Sequence, residues 1–153
     1  GDDVMYSGTV SAAMEGTILG VPSIAVSQEG WEEFRFAVGA TYAVRVAKLV
    51  LSQGLPDETL LNVNIPNRPY ADLHRWRVTR LGNRHHSQPV VVQDSPRGEK
   101  IYWIGAAGHV KDNSEGTDFH AIDDGCISIT PMQLDLTHHA RLAAMRAQGW
   151  GRG

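Results

Sequence analysis

Within its first ten residues the chain sets an acidic doublet, Asp2-Asp3, ahead of a hydroxyl-glycine-hydroxyl triplet, Ser7-Gly8-Thr9. Carboxylate oxygens are the donors that hard divalent cations such as Mg²⁺ and Mn²⁺ prefer. A helix beginning at the triplet would present unpaired backbone N–H groups and the positive end of its dipole, a combination that holds phosphate. The stretch raises a metal-phosphate chemistry, yet each half also has a plainer reading. Two aspartates just before a helix are favourable there as solvated negative charges alone, and they are fewer ligands than such a cation takes. Ser7 is equally suited to be an N-cap and nothing more.

Further along, Asp135 and His139 stand four residues apart, a spacing that brings two side chains together across one helical turn. A carboxylate there can orient or acidify an imidazole and so provide a general acid near neutral pH. An ordinary contact between a carboxylate and the next turn fits the spacing just as well. Seven histidines include the pairs His85-His86 and His138-His139. Adjacent residues point to opposite faces of a strand and diverge on a helix, so neither pair suggests a chelate. Asp123-Asp124 runs into Gly125 and reads as a turn. Arg75, Arg77, Arg80 and Arg84 gather around Trp76, where they could meet a nucleotide phosphate or form a solvated strand face or subunit contact.

The elements that must position these groups follow from periodicity. After Ser7, the residues Val10, Ala13, Met14 and Ile18 recur at helical spacing until Gly20 and Pro22. SIAVS, 23 to 27, is a short apolar run of the kind found in a buried parallel strand. Residues 31 to 53 predict a longer helix with Phe34, Val38, Tyr42, Val46 and Leu49 on one side and Gly54 and Pro56 closing it. LLNVNIP, 60 to 66, alternates Leu61, Val63 and Ile65 against Asn62 and Asn64, a strand with one polar face. From residue 67 onward short strands predominate: WRVTRL at 76 to 81, PVVVQ at 89 to 93, EKIYWIG at 99 to 105 and CISITP at 126 to 131. SPRG between the second and third predicts a hairpin turn, and the second half as a whole is expected to be an antiparallel β extension. Residues 108 to 125 are polar and glycine-bearing, the profile of a functional loop. A last helix is expected over about 137 to 148, before a fraying tail. The expected fold class is α/β.

Composition bounds the partners. A net charge of −3 leaves no global basic field to attract DNA or an anionic membrane. No apolar run approaches the roughly 20 residues of a spanning helix, and the start of the chain lacks a signal-peptide pattern. The single cysteine, Cys126, excludes an intrachain disulfide framework and a Cys-rich zinc site. A soluble, cytoplasmic protein is expected. The first methionine is Met5, so Gly1 is not expected to be a translation start.

GDDVMYSGTVSAAMEG, then GVPSIAVS, LLNVNIP, TRLG, SPRG, YWIG and EGTDFHAIDDGCISITPMQLDLTHH together resemble the SurE family, the stationary-phase survival proteins that act as metal-dependent nucleotidases. The likeness runs through nearly the whole chain, and the order of YSGT, EGTDF and the SITP-to-DLT ending makes it specific. It implies a Rossmann-like three-layer core with an antiparallel β-hairpin extension and a C-terminal helix. Residues 1–66 would be the later part of the core, and 67–153 the extension, active-site loop and oligomerisation segment of the same domain. It further implies a homodimer or homotetramer assembled through hairpins and an exchanged C-terminal segment.

By the same resemblance, Ser7, Gly8 and Thr9 form the phosphate-binding turn. Asp135 and His139 match the family's C-terminal aspartate and histidine, the histidine protonating the leaving alkoxide. Thr117 and Asp118 of the EGTDF loop fall near the site. The cofactor implied is one Mg²⁺ or Mn²⁺ per subunit, and the substrate a nucleoside monophosphate, hydrolysed as by a 5′/3′-nucleotidase, with short polyphosphate a further substrate. The family's metal ligands lie in an Asn-Asp-Asp-Gly loop, at a later serine, and in a Ser-Gly-Ile-Asn segment. None of these occurs in this sequence, so Asp2-Asp3 is not the family's metal pair and the ligands are expected upstream of Gly1. Two alternatives stand beside the nucleotidase: a non-catalytic piece carrying phosphate-binding and oligomerisation elements, and a nucleotide-binding module without hydrolysis.

Overall fold

Ser7 has extended backbone angles, φ −85° and ψ 116°, and its Oγ accepts the Val10 N–H at 3.2 Å. That hydrogen bond satisfies one of the donors a helix leaves unpaired at its start, and it fixes the first helix, α1 (Gly8–Ile18). The computed structural model describes residues 1–30, 33–73, 75–85 and 87–151. A short 3₁₀ segment, Asp2–Tyr6, leads into the cap, and Gly20 at φ 79° turns the chain out of the helix. Val10 and Ala13 are buried, while Ile18 is exposed. The apolar face of α1 is therefore shorter than the periodicity predicts.

The strands that follow are β1 (Ser23–Gln28) and β2 (Thr59–Ile65), joined by the helix α2 (Phe36–Gln53). They pair in parallel, with Ala25 opposite Asn62 and Ser27 opposite Asn64, as a strand-helix-strand crossover requires. The predicted helix over 31–53 begins later than expected. Trp31 and Glu32 lie outside the described residues, Phe34 precedes the helix, and Leu49 is exposed while Val50 is buried. Tyr42, Val46 and Val50 of α2 pack with Val63, Ile65, Leu73 and Ile127 on one side of the sheet. Val10 and Ala13 of α1 pack with Ala25 and Leu60 on the other. Helix, sheet and helix make the three layers, and the alternation of β2 sends Leu61, Val63 and Ile65 one way and Leu60, Asn62 and Asn64 the other.

The second half departs from a purely antiparallel extension. β3 (Trp76–Val78) and β6 (Ile127–Gln133) enter the main sheet, whose order is β1-β2-β6-β3. β6 runs antiparallel to β2 and parallel to β3. The reason is packing: Ile127 is fully buried with the α2 cluster, and Met132 and Leu134 cover the α1 cluster. Only β4 (Val91–Asp94) and β5 (Lys100–Trp103) form a separate two-stranded hairpin. Its turn closes with the Ser95 N–H donating to the Glu99 carbonyl at 2.7 Å and Gly98 at φ 83°, as the SPRG stretch predicts. The polar stretch 108–125 contains a short helix, α3 (Asp118–Asp123), capped by Thr117. The last helix, α4 (His139–Ala147), buries no residue.

Leu60 is fully buried beneath α1, whereas Leu51 on α2 is 85% exposed. Leu60→Ala is expected to lower stability by about 2–5 kcal/mol, and Leu51→Ala by no more than about 0.5 kcal/mol. Urea unfolding of the two variants checks the layering, and equal losses would contradict it.

Candidate active site

A cleft of about 450 Å³ opens where α1 begins and the parallel strands end. Its lining includes Ser7 and Val10 from α1 and its cap, Ser27 and Gln28 from β1, Asn62 and Asn64 from β2, and Phe119 and Ile122 from α3. In open α/β sheets ligands collect at the carboxyl ends of the strands, where helix N-termini converge. The Gly8 and Thr9 N–H groups have no acceptor among the described residues. A Cβ added at Gly8 would meet no atom within 4 Å, so packing within the chain does not require glycine there.

The approach to α1 is held from below by Asp118, which is 2% exposed. Its Oδ1 accepts the N–H groups of Gly82 and Phe119, each at 2.9 Å, and its Oδ2 accepts from the Gly1 nitrogen. These donors occupy the carboxylate, so Asp118 positions three backbone segments around the cleft. Gly82 is required at this crossing: a Cβ there would sit 2.6 Å from the Asp112 carbonyl and 2.6 Å from the Phe119 ring. Thr117 is fully buried; its Oγ1 accepts the His120 N–H at 3.1 Å and donates to the Ser114 carbonyl at 2.8 Å. Both EGTDF residues thus organise the site from behind.

The acidic doublet is not a free pair of carboxylates. Asp2 Oδ1 accepts the Arg84 N–H at 3.1 Å, and Asp3 Oδ2 accepts from Arg84 Nε at 2.5 Å. The Arg84 guanidinium lies 4.7 Å from the centre of the Phe119 ring and forms part of the cleft wall. Both aspartates remain exposed, as expected of a solvated doublet, and Arg84 pairs with Asp3 there. Of the other arginines, Arg77 pairs with Asp124 at 2.8 Å and Arg80 with Asp112 at 2.8 Å, so both are engaged in folding contacts. His85 is exposed, and His86 lies outside the described residues.

Asp135 and His139 do meet, His139 Nε2 against Asp135 Oδ2, and the Thr137 N–H reaches Asp135 Oδ1 at 2.8 Å. Hydrogen bonding from Thr137, then from His139, holds the Asp135 carboxyl well below the usual carboxylate range. Both side chains are exposed, and neither lines the cleft. Within one chain the structure joins Ser7 and Asp118 at the cleft and leaves the Asp135–His139 pair outside it. Among the described residues no group of three or more His, Cys, Asp or Glu side chains could hold a metal ion. Asp3 is taken by Arg84 and Asp118 by backbone N–H groups, so these residues do not fit a divalent cation.

Asn62, Asn64, Ser27, Gln28 and Phe119 are cleft residues that sequence reasoning did not single out. The signal was present in LLNVNIP, whose two asparagines share a face. The alternation predicts one polar face, and in the structure α1 and α3 pack over it.

Asp112 supports the wall of the site. It accepts from Arg80 Nη1 at 2.8 Å, Ser114 Oγ at 2.6 Å and Ser114 N–H at 3.1 Å. Bonding from Arg80, then from Ser114, holds its carboxyl well below the usual range. A lowered folded-state value means that this contribution to stability is complete above the ordinary aspartate value of about 4 and is lost as pH falls through the lower folded value. In a carboxyl NMR titration Asp112 is expected to titrate below ordinary aspartates, and Arg80→Met to move it back up. An ordinary midpoint in the unaltered protein would contradict the contact.

Residues 1–88 match the family model described as Survival protein SurE. The structure is similar to the crystal structure of SurE protein from Aquifex aeolicus, with a TM-score of 0.81 and 43% sequence identity. The match covers 97% of this chain and 60% of the Aquifex chain, so the chain spans less than two thirds of that protein's length. With its capped helix start, its parallel β1–β2 pair and more than half its length within the family model, the chain belongs to the SurE family.

Proposed function

We propose that this chain carries the phosphate-holding side of a phosphatase acting on nucleoside monophosphates, a 5′/3′-nucleotidase that also acts on short polyphosphate. The observation that carries the reading is the start of α1, where two N–H groups without an acceptor among the described residues stand beside a cleft on a SurE-family fold. The Ser7-Gly8-Thr9 turn holds the phosphoryl oxygens through the Gly8 and Thr9 N–H groups, and the helix dipole stabilises the negative charge. Such fixed donors accelerate phosphoryl transfer when they bind the charge of the transition state more tightly than that of the substrate. A divalent cation, Mg²⁺ or Mn²⁺, belongs to this proposal through the family resemblance, with ligands other than the described residues of this chain. The site of action proposed is the cytoplasm.

His139, oriented by Asp135, is the proposed general acid that protonates the leaving alkoxide. Because the pair stands outside the cleft of its own chain, it serves the cleft of a second copy in a homodimer or homotetramer with exchanged C-terminal segments. The absence of a metal-ligand cluster among the described residues favours a second reading for these 153 residues taken alone: nucleotide or phosphate binding without turnover.

Phosphate release from AMP, GMP and 3′-nucleotides by the full-length protein, with Mg²⁺ or Mn²⁺ supplied, tests the first reading. No release from any of them would end it. Gly8→Ala is expected to leave stability unchanged or raise it by up to about 1 kcal/mol, since alanine favours helix and has open space there. Phosphate release is expected to fall at least tenfold. Full activity with alanine at this position would remove the turn from the site.

Exchange of the C-terminal segment has its own test. Full-length Gly8→Ala and His139→Ala subunits, unfolded together and reassembled, are expected to recover about a quarter of the wild-type activity as random mixed dimers. Recovery no greater than the sum of the separate variants would place His139 in the cleft of its own subunit or outside catalysis.

A further inference from the structure

Asn62 is 4% exposed and stands on β2 between Leu60 and Asn64, on the face toward α1 and α3. Its amide has no hydrogen-bond partner among the described residues. Its neighbour across the antiparallel pair is Thr130, whose hydroxyl bonds Thr79 Oγ1 at 2.7 Å; Thr79 Oγ1 also bonds Ser128 Oγ at 2.8 Å. The hydroxyls on this face satisfy one another, and the amide beside them is left out. The one side-chain polar atom that is both shut off from solvent and without a partner among the described residues is Gln28 Oε1, so the Asn62 amide keeps its opening on the cleft, where a ligand can take up its hydrogen bonds.

The cleft supplies the place. Asn62 lines it together with Asn64 and Ser7, next to the Gly8 and Thr9 N–H groups at the start of α1. Four carboxylates share the lining: Asp3, Glu29, Asp118 and Asp123. Three of them already hold donors, Asp3 from Arg84, Asp118 from backbone N–H groups and Asp123 from Asn113 Nδ2 at 2.6 Å. A neutral amide donor suits an anion here, because it adds a hydrogen bond without another charge to neutralise.

We propose that Asn62 is a phosphoryl-binding residue, its Nδ2–H donating to an oxygen of a phosphate monoester seated at the Ser7-Gly8-Thr9 turn. The identity of the oxyanion rests on the phosphatase reading; the unpartnered Asn62 amide on the cleft wall does not. Asn64, half-buried on the same face one pleat further on, extends the same polar wall toward the cleft mouth.

The test uses full-length protein and inorganic phosphate as the probe, with binding followed by calorimetry and by the phosphate-induced rise in melting temperature. Asn62→Leu removes the unpartnered amide at similar volume, so its ligand-free melting temperature is expected to equal or exceed that of the wild type. Its phosphate affinity is expected to drop about ten- to a hundredfold, the range of one hydrogen bond to a charged group. Asn62→Asp is expected to abolish the phosphate-induced shift by charge repulsion. Asn62→Ser provides the comparison should leucine fail to fold, and it is expected to bind phosphate at least tenfold more weakly than the wild type. Wild-type affinity in folded Asn62→Ser or Asn62→Asp protein would overturn the assignment, as would a wild-type protein that binds no phosphate. Turnover of nucleotides with phosphate binding indifferent to Asn62 would sink the assignment and leave the phosphatase reading. Phosphate binding through Asn62 with no nucleotide hydrolysed would do the reverse.

Discussion

The buried carboxylate of Asp118 is the contact on which the site depends. It receives the backbone N–H groups of Gly82 and Phe119, drawing together the loop after β3 and the first turn of α3. Charged acceptors form the stronger class of hydrogen bond, and a buried carboxylate is tolerated only when it is fully partnered. The loops around it then close on one another. The Lys111 and Asp112 N–H groups reach the Asn83 carbonyl at 2.8 and 3.0 Å, and Arg84 spans from the acidic doublet to the Phe119 ring. Arg84, Asp118 and Phe119 of this knot also line the cleft. The knot fixes the rim on which Ser7 and the open N–H groups of α1 stand.

The sheet contributes an asymmetry between its faces. Toward α2 it presents Leu61, Val63, Ile65 and Ile127, and packing there is largely apolar, with the Tyr42 hydroxyl donating to the Leu73 carbonyl. Toward α1 and α3 it begins apolar at Leu60 and turns polar along β2, with Asn62 and Asn64 matched on β6 by Thr130 and Ser128. Parallel strands flanked by helices bury both faces, so these polar groups are covered and must find partners within the protein or in a ligand. The hydroxyls of Thr79, Ser128 and Thr130 find each other. The asparagines face the cleft.

Apolar side chains also remain exposed in many parts of the chain, two groups of them in its second half. The hairpin exposes Val91, Val92, Tyr102 and Trp103, followed by Ile104, while the C-terminal arm exposes Leu136, Leu142, Met145 and Trp150. Contiguous apolar surface on a soluble domain marks places that other surfaces cover. Both lie away from the cleft lining, which agrees with the proposal that the hairpin and the exchanged arm assemble the oligomer rather than shape the anion site of their own subunit.

The sequence by itself determined the local elements whose causes are local. Ser7 caps α1 because a side-chain oxygen can reach an N–H three residues on, SPRG turns the hairpin because Gly98 takes a positive φ, and β2 alternates because strand side chains do. It also carried the family, through motifs read in order. Tertiary structure decided which face of each element meets what. It brought β3 and β6 into the main sheet, because Ile127 is completely buried in the core beneath α2. It made the polar face of LLNVNIP a covered wall, because α1 and α3 lie over it. It set Arg84, some eighty residues distant, against the exposed acidic doublet. Periodicity identifies that a face is polar; only the packing of the other layers determines whether water, another side chain or a ligand satisfies it.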